Sequence, residues 1–223
     1  MSRAVESRFV ATDSSGEVSA LFLRPPEARA LFVMAHGAGA GMRHAFMEAV
    51  AERLSARGVA TFRYQFPYME QGRKSPSPSP VLVKTVRSAV TEAAKLAPDL
   101  PLWAGGKSMG GRMTSTAASQ QALPGVRGLI FLGFPLHAAG KAPSPDRGVH
   151  LAGVGLPMLF LQGTRDNLAD LAVLRPLLET VHPAPELHVV EGADHGFHVL
   201  KRSGRTDGEV LDELASAIAT WVA

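Results

Sequence analysis

Between Leu100 and Gly111 the chain reads LPLWAGGKSMGG, an apolar run that stops at glycines around a single serine, and the rest of the fold is organised around it. Gly106 and Gly110 stand two residues before and two after Ser108, which makes the segment GxSxG. That spacing implies a strand turning abruptly into a helix, with the serine held in a strained backbone conformation at the bend. In so sharp a reversal the residues two positions away on either side approach each other, and a Cβ at either would collide. The expected result is a hydroxyl above the strand ends, at a helix N-terminus whose free N–H groups favour developing negative charge. The flanks agree. Leu100 to Ala104 is continuously apolar, as a central parallel strand is, and Met109 to Gln121 is rich in Ala, Ser, Thr and Met and lacks proline. A Gly-rich turn with a capping serine would look much the same, so the wider context must decide.

Gly106-Lys107-Ser108 also matches the end of a phosphate-cradling loop, GxxxxGK[ST]. Its first glycine would fall at Pro101, which is rigid and has no N–H to offer an anion, so that reading fails.

Along the chain, strands are expected at Arg8 to Thr12 and Glu17 to Leu23, joined by a turn at Asp13 to Gly16. Further strands are expected at Ala30 to Ala35, Val59 to Tyr64, Val126 to Leu132, Pro157 to Gln162 and Glu186 to Glu191. Helices are expected at about Arg43 to Arg57 and from Ser79, as N-cap, to Leu96 with Val83, Val86, Val90 and Ala94 inward. Two more are expected over Ala169 to His182 and Gly208 to Val222, the last opened by a Thr206–Glu209 capping box. Ser75 to Pro80 reads as a short extended connector. Alternation of this kind implies an α/β fold, a mainly parallel sheet with helices on both faces and an antiparallel edge. Ligands of such sheets bind beyond the carboxyl ends of the strands, where the loops converge.

Several function classes drop out on composition. The 223 residues, 46% hydrophobic, suffice for a large core and show no linker, so one domain over 1–223 is expected. There is no cysteine, which excludes disulfides, thiolate nucleophiles and Cys-bound metal. Met1 to Val10 carries Arg3, Glu6 and Arg8 and no apolar segment, so no leader is expected, and no run reaches membrane-spanning length; a cytoplasmic protein is the expectation. The formal charge of +3 is scattered, and Arg73-Lys74 and Lys201-Arg202 read as solvated loops with no interleaved aromatics to stack on bases, so no nucleic-acid partner is expected.

A serine hydroxyl needs an imidazole to take its proton, and the imidazole needs a carboxylate to fix its tautomer. In this topology the chain order is serine, acid, histidine. Asp166 in Gly163 to Asp166 and His195 in Gly192 to His195 follow the right strands for those roles. Asp194 projects differently from its neighbour His195, and Asp170 is a fallback acid. His188 lies mid-strand, His150 in a long loop and His198 beyond the turn. No HExxH or other tight ligand spacing suggests a metal. Backbone N–H groups of Met109 and of Ala38 or Gly39 are the candidate oxyanion donors. The His36-to-Gly41 loop does not continue as GxGxxG, because the third glycine would fall at Met42 or His44, so no dinucleotide cofactor is implied.

Taken together, Ala35 to Gly39, Arg63 to Met69, Gly106 to Arg112, Gly133 to His137, Leu161 to Asp166 and Gly192 to His195 resemble the α/β-hydrolase superfamily over nearly the whole chain. More closely they resemble a small lidless, dienelactone-hydrolase-like branch that includes a subunit of the animal non-specific-lethal histone-acetyltransferase complex. The resemblance implies an α/β-hydrolase fold and an ester hydrolase with Ser108 as nucleophile, His195 as base then acid, and Asp166 as orienter. Only Gly133 to Leu156 is available where many relatives insert a cap, so no cap domain is expected. The implied partner is a small acyl ester or thioester, taken by a monomer or homodimer. Lys107 is expected to form a structural charge pair, and Tyr68, Phe134, Leu136 and His137 to line the pocket. A binding protein on the same fold, or an acyl transferase, are the alternatives.

Overall fold

A computed structural model describes residues 3–223; Met1 and Ser2, the start of the segment read above for a leader, lie outside them. The strands are β1 (Val5–Thr12), β2 (Gly16–Leu23), β3 (Ala30–Ala35), β4 (Val59–Tyr64), β5 (Leu102–Lys107), β6 (Val126–Leu132), β7 (Met158–Gly163) and β8 (Glu186–Val190). They form one sheet in the order β1-β2-β4-β3-β5-β6-β7-β8. The β1–β2 and β2–β4 pairs are antiparallel, and every later pair is parallel. β3, β4 and β7 are buried along their whole length, as strands covered on both faces must be.

The helices are α1 (Ala45–Ser55), α2 (Pro67–Glu70), α3 (Ser79–Leu96), α4 (Met109–Gln120), α5 (Leu171–Glu179) and α6 (Asp207–Trp221). Two apolar cores result. α1 and α6 bury Met47, Val50, Leu54, Val210, Leu214 and Ile218 against one face of the sheet. α3, α4 and α5 bury Val86, Val90, Met113, Ala117 and Leu174 against the other. The capping box opening α6 is present, Thr206 Oγ1 accepting from the Glu209 N–H and the Glu209 carboxylate accepting from Thr206 N–H. Between β6 and β7 there is a loop with one 3₁₀ turn, Asp146–Gly153, and no cap domain.

Some local expectations shift. The residues after β4 form the short helix α2, started by Pro67 at its first turn. Ser79 lies inside α3 rather than at its cap, which is Pro78, and Ser79 Oγ points to Met113 Sδ instead. Ala94 packs against the core partly buried, and Ala93 joins Val83, Val86 and Val90 in the fully buried stripe. The elbow strand runs on through both glycines to Lys107.

Candidate active site

The carboxyl ends of β3, β5, β7 and β8 bring the chemical residues together. Ser108 follows β5 directly, with φ 49° and ψ −118°, a conformation rare for a side-chain-bearing residue and held here by its N–H bond to the Leu132 carbonyl at 3.1 Å. The glycines serve a different contact from the one expected. A Cβ on Gly106 would lie 2.1 Å from the Ala35 carbonyl oxygen and one on Gly110 2.5 Å from the same atom, so both are forced by the neighbouring strand β3 rather than by each other. Gly111 is the one that closes on Gly106, where a Cβ would lie 2.8 Å from the Gly106 oxygen.

His195 Nε2 stands 2.8 Å from Ser108 Oγ, and its Nδ1 stands 2.7 Å from Asp166 Oδ2. The Asp166 side chain is wholly buried; its Oδ1 accepts the Leu168 N–H at 2.8 Å, and Oδ2 also accepts from Gln162 Nε2. Gln162 was not singled out by the sequence reading. Its Oε1 accepts the Phe134 N–H at 2.9 Å, so one fully buried amide locks the carboxylate to the β6 loop. A polar residue ending the apolar run Met158 to Leu161 was the available signal.

Other His–carboxylate pairs do not share this arrangement. His188 meets Glu213 and His198 meets Asp207, each at 2.7 Å, with no serine on the second nitrogen. His150 Nε2 lies 2.8 Å from Ser115 Oγ, yet Ser115 is fully buried in the middle of α4, and no carboxylate bonds His150 among the described residues. That pair fastens α4 to the 3₁₀ turn. Asp170 caps α5 through the Ala172 N–H, and Asp194 Oδ1 accepts from Gly196 and His198 N–H within its own turn. Neither is free to orient the ring. Among the described residues no three His, Asp or Glu side chains gather as a metal site would require, and no helix is long and apolar enough to cross a membrane.

The loop after β3 is held rigidly. His36 Nδ1–H donates to the Gly37 carbonyl at 2.7 Å while Nε2 accepts the Phe66 N–H at 3.1 Å, an arrangement that needs the neutral ring; burial pushes its pKa down to about 4. Gly39 N–H donates to the Tyr68 hydroxyl at 3.0 Å. That removes Gly39 from the candidate oxyanion donors and leaves Ala38 beside Met109; neither N–H has a hydrogen-bond partner among the described residues. The loop abuts the serine, since a Cβ on Gly37 would sit 3.7 Å from Ser108 Cβ.

Beside Ser108 and His195 opens a cleft of about 620 Å³, walled by Ala38, Phe46, Met47, Phe197 and Leu211. Tyr68, Phe134, Leu136 and His137 do not line it. Tyr68 is turned inward to hold Gly39, Phe134 packs its ring on Phe131 and Phe160 at 5.2 and 5.6 Å, and all four are buried. The wall comes instead from the loop after β3, α1, α6 and the His195 loop, and the Phe46 and Phe197 rings stack at 5.6 Å. Lys107 forms no ion pair among the described residues, contrary to expectation. Its ammonium donates to the His195 carbonyl at 2.6 Å and lies 5.8 and 5.4 Å from the Phe46 and Phe197 ring centres.

This sheet, with its bent serine and converging loops, defines an α/β hydrolase. The family model of the α/β hydrolase domain matches residues 28–223, and the chain belongs to that family. Among solved structures it is similar to an α/β serine hydrolase homologue from Coxiella burnetii, at TM-score 0.75 and 18% identity over 97% of each chain. It is also similar to a dienelactone hydrolase from Anabaena variabilis, at TM-score 0.73 and 20% identity over 98% of this chain and 97% of that one. A third, a serine hydrolase without a lid from Xanthomonas campestris, gives TM-score 0.73 and 18% identity over 98% and 95%.

Proposed function

We propose that the protein is a serine hydrolase of small carboxylic esters or thioesters, working as one catalytic unit through an acyl-enzyme on Ser108. The observation that carries this is the unbroken line from Ser108 Oγ through the His195 ring to the buried Asp166 carboxylate, at 2.8 and 2.7 Å. Ser108 Oγ attacks the substrate carbonyl carbon as its proton passes to His195 Nε2, and Asp166 stabilises the imidazolium that forms. The tetrahedral oxyanion takes hydrogen bonds from the Ala38 and Met109 N–H groups, both already fixed before substrate arrives. Collapse breaks the ester bond, and the departing alcohol or thiol leaves with the proton from Nε2. Water, deprotonated by the same nitrogen, then attacks the acyl-enzyme, releasing the acid and returning the proton to Ser108. Transfer of the acyl group to an alcohol or thiol shares every step but the last.

Support for the substrate class comes from the cleft, open and largely apolar beside the serine, and from neighbours whose own descriptions are serine hydrolase and dienelactone hydrolase. The test is a panel of nitrophenyl esters of rising acyl length. The wild type should turn over the short members, and Ser108→Ala should lose at least about a thousandfold in kcat. Equal turnover by both proteins would defeat the proposal.

A further inference from the structure

We propose that Lys107, the residue immediately before the serine, is a positioning residue that ties the histidine-bearing loop to the strand carrying the nucleophile. The inference rests on the hydrolase reading above. Ser108 and His195 reach the site on separate elements, the end of β5 and the loop after β8, and only side chains and loop contacts span the gap. Lys107 spans it from the serine's own neighbour. Its Nζ donates to the His195 carbonyl oxygen at 2.6 Å and faces the ring of Phe197, two residues further along the same loop, at 5.4 Å. Gly133 leaves room for the contact: a Cβ there would stand 3.0 Å from Lys107 Nζ, 3.5 Å from Asp166 Oδ2 and 3.5 Å from His195 Cε1. Lysine, carboxylate and imidazole therefore converge under one glycine.

A cation in such a place is a stability liability. Among the described residues no carboxylate forms an ion pair with it; Asp166 and Asp194 act only from further off, and loss of solvent around the ammonium outweighs them, lowering its pKa to about 8. A half-buried cation at the edge of the cleft without a direct counter-charge among the described residues is what a positional requirement looks like, because a site selected for stability alone would place an apolar side chain there.

The role predicts that activity and stability part company. In Lys107→Met, kcat on a nitrophenyl ester should fall roughly 10- to 100-fold with KM within about twofold, because the base is misplaced rather than the substrate released. The unfolding midpoint should hold or rise. Lys107→Arg, which keeps a charged donor, should recover several-fold of the lost kcat. An unchanged kcat in Lys107→Met, a loss confined to KM, a lowered midpoint or failure to fold, or equal kcat in the two variants would each overturn the positioning role. Ser108→Ala, run alongside, separates the two claims. Hydrolysis abolished by Ser108→Ala and untouched by Lys107→Met overturns this inference alone, whereas hydrolysis surviving Ser108→Ala overturns the hydrolase reading and this inference with it.

Discussion

At the scale of single residues, what distinguishes His195 from His150, His188 and His198 is a serine on one nitrogen and a carboxylate on the other. Its carboxylate partner is fully buried and held by two further donors, Gln162 Nε2 and the Leu168 N–H. Asp166→Asn would keep the shape and present the wrong tautomer partner, so kcat should drop on the order of a thousandfold or more with the fold intact, read by ester turnover beside circular dichroism. His36 yields a prediction of a different kind. Its folded pKa of about 4 lies below the unfolded value of 6.5, so the unfolded chain binds the extra proton first as pH falls. Its contribution is complete above pH 6.5 and is lost between there and 4, amounting to about 3 kcal/mol. Urea midpoints should fall steeply over that window, and less so in His36→Asn. The sequence located Ser108, Asp166 and His195 by chain order and loop position. For Gln162 it offered only a polar residue ending an apolar run, and for the Lys107 contact nothing, because a hydrogen bond across 88 residues leaves no local pattern.

Among the elements, the junction of β3, β5 and α4 leaves almost no room for a side chain. Gly106→Ala would drive a methyl to 2.1 Å from the Ala35 oxygen at a φ of 141°, so both contact and backbone oppose it. That variant should be insoluble or lose several kcal/mol of stability by denaturant unfolding, whereas Thr206→Ala, removing the hydroxyl's two bonds to Glu209 at the start of α6, should cost about 1 kcal/mol. The periodic elements were legible: the apolar runs of β3, β4 and β6 feed both cores, and the stripes of α1 and α3 each meet one. Two were not. α2 is a single turn started by Pro67, and the 3₁₀ turn at Asp146–Gly153 sits in a Gly- and Pro-containing loop, so neither is long enough to show a period.

Across the whole molecule, the cleft lies between the α1 and α6 side of the sheet and the serine, and this is what sequence order conceals. Phe46 and Leu211 are far apart in the chain, on two different helices, yet both line the same cleft of about 620 Å³. Leu211→Trp should fill that space, raising KM for long-chain nitrophenyl esters while sparing the acetyl ester; equal effects on both would detach the cleft from substrate binding. Fold and superfamily were legible because six loops in order are a long pattern. The narrower likeness to a branch with a chromatin-complex subunit gains nothing from the matched family or the three solved neighbours.

Intact-mass and peptide mapping after treatment with a fluorophosphonate asks most directly whether the serine at the bend is activated. A single adduct on Ser108, absent in Ser108→Ala and formed far more slowly in His195→Ala, is the expected result. No adduct, or one that persists in Ser108→Ala on another serine such as Ser115, would contradict it.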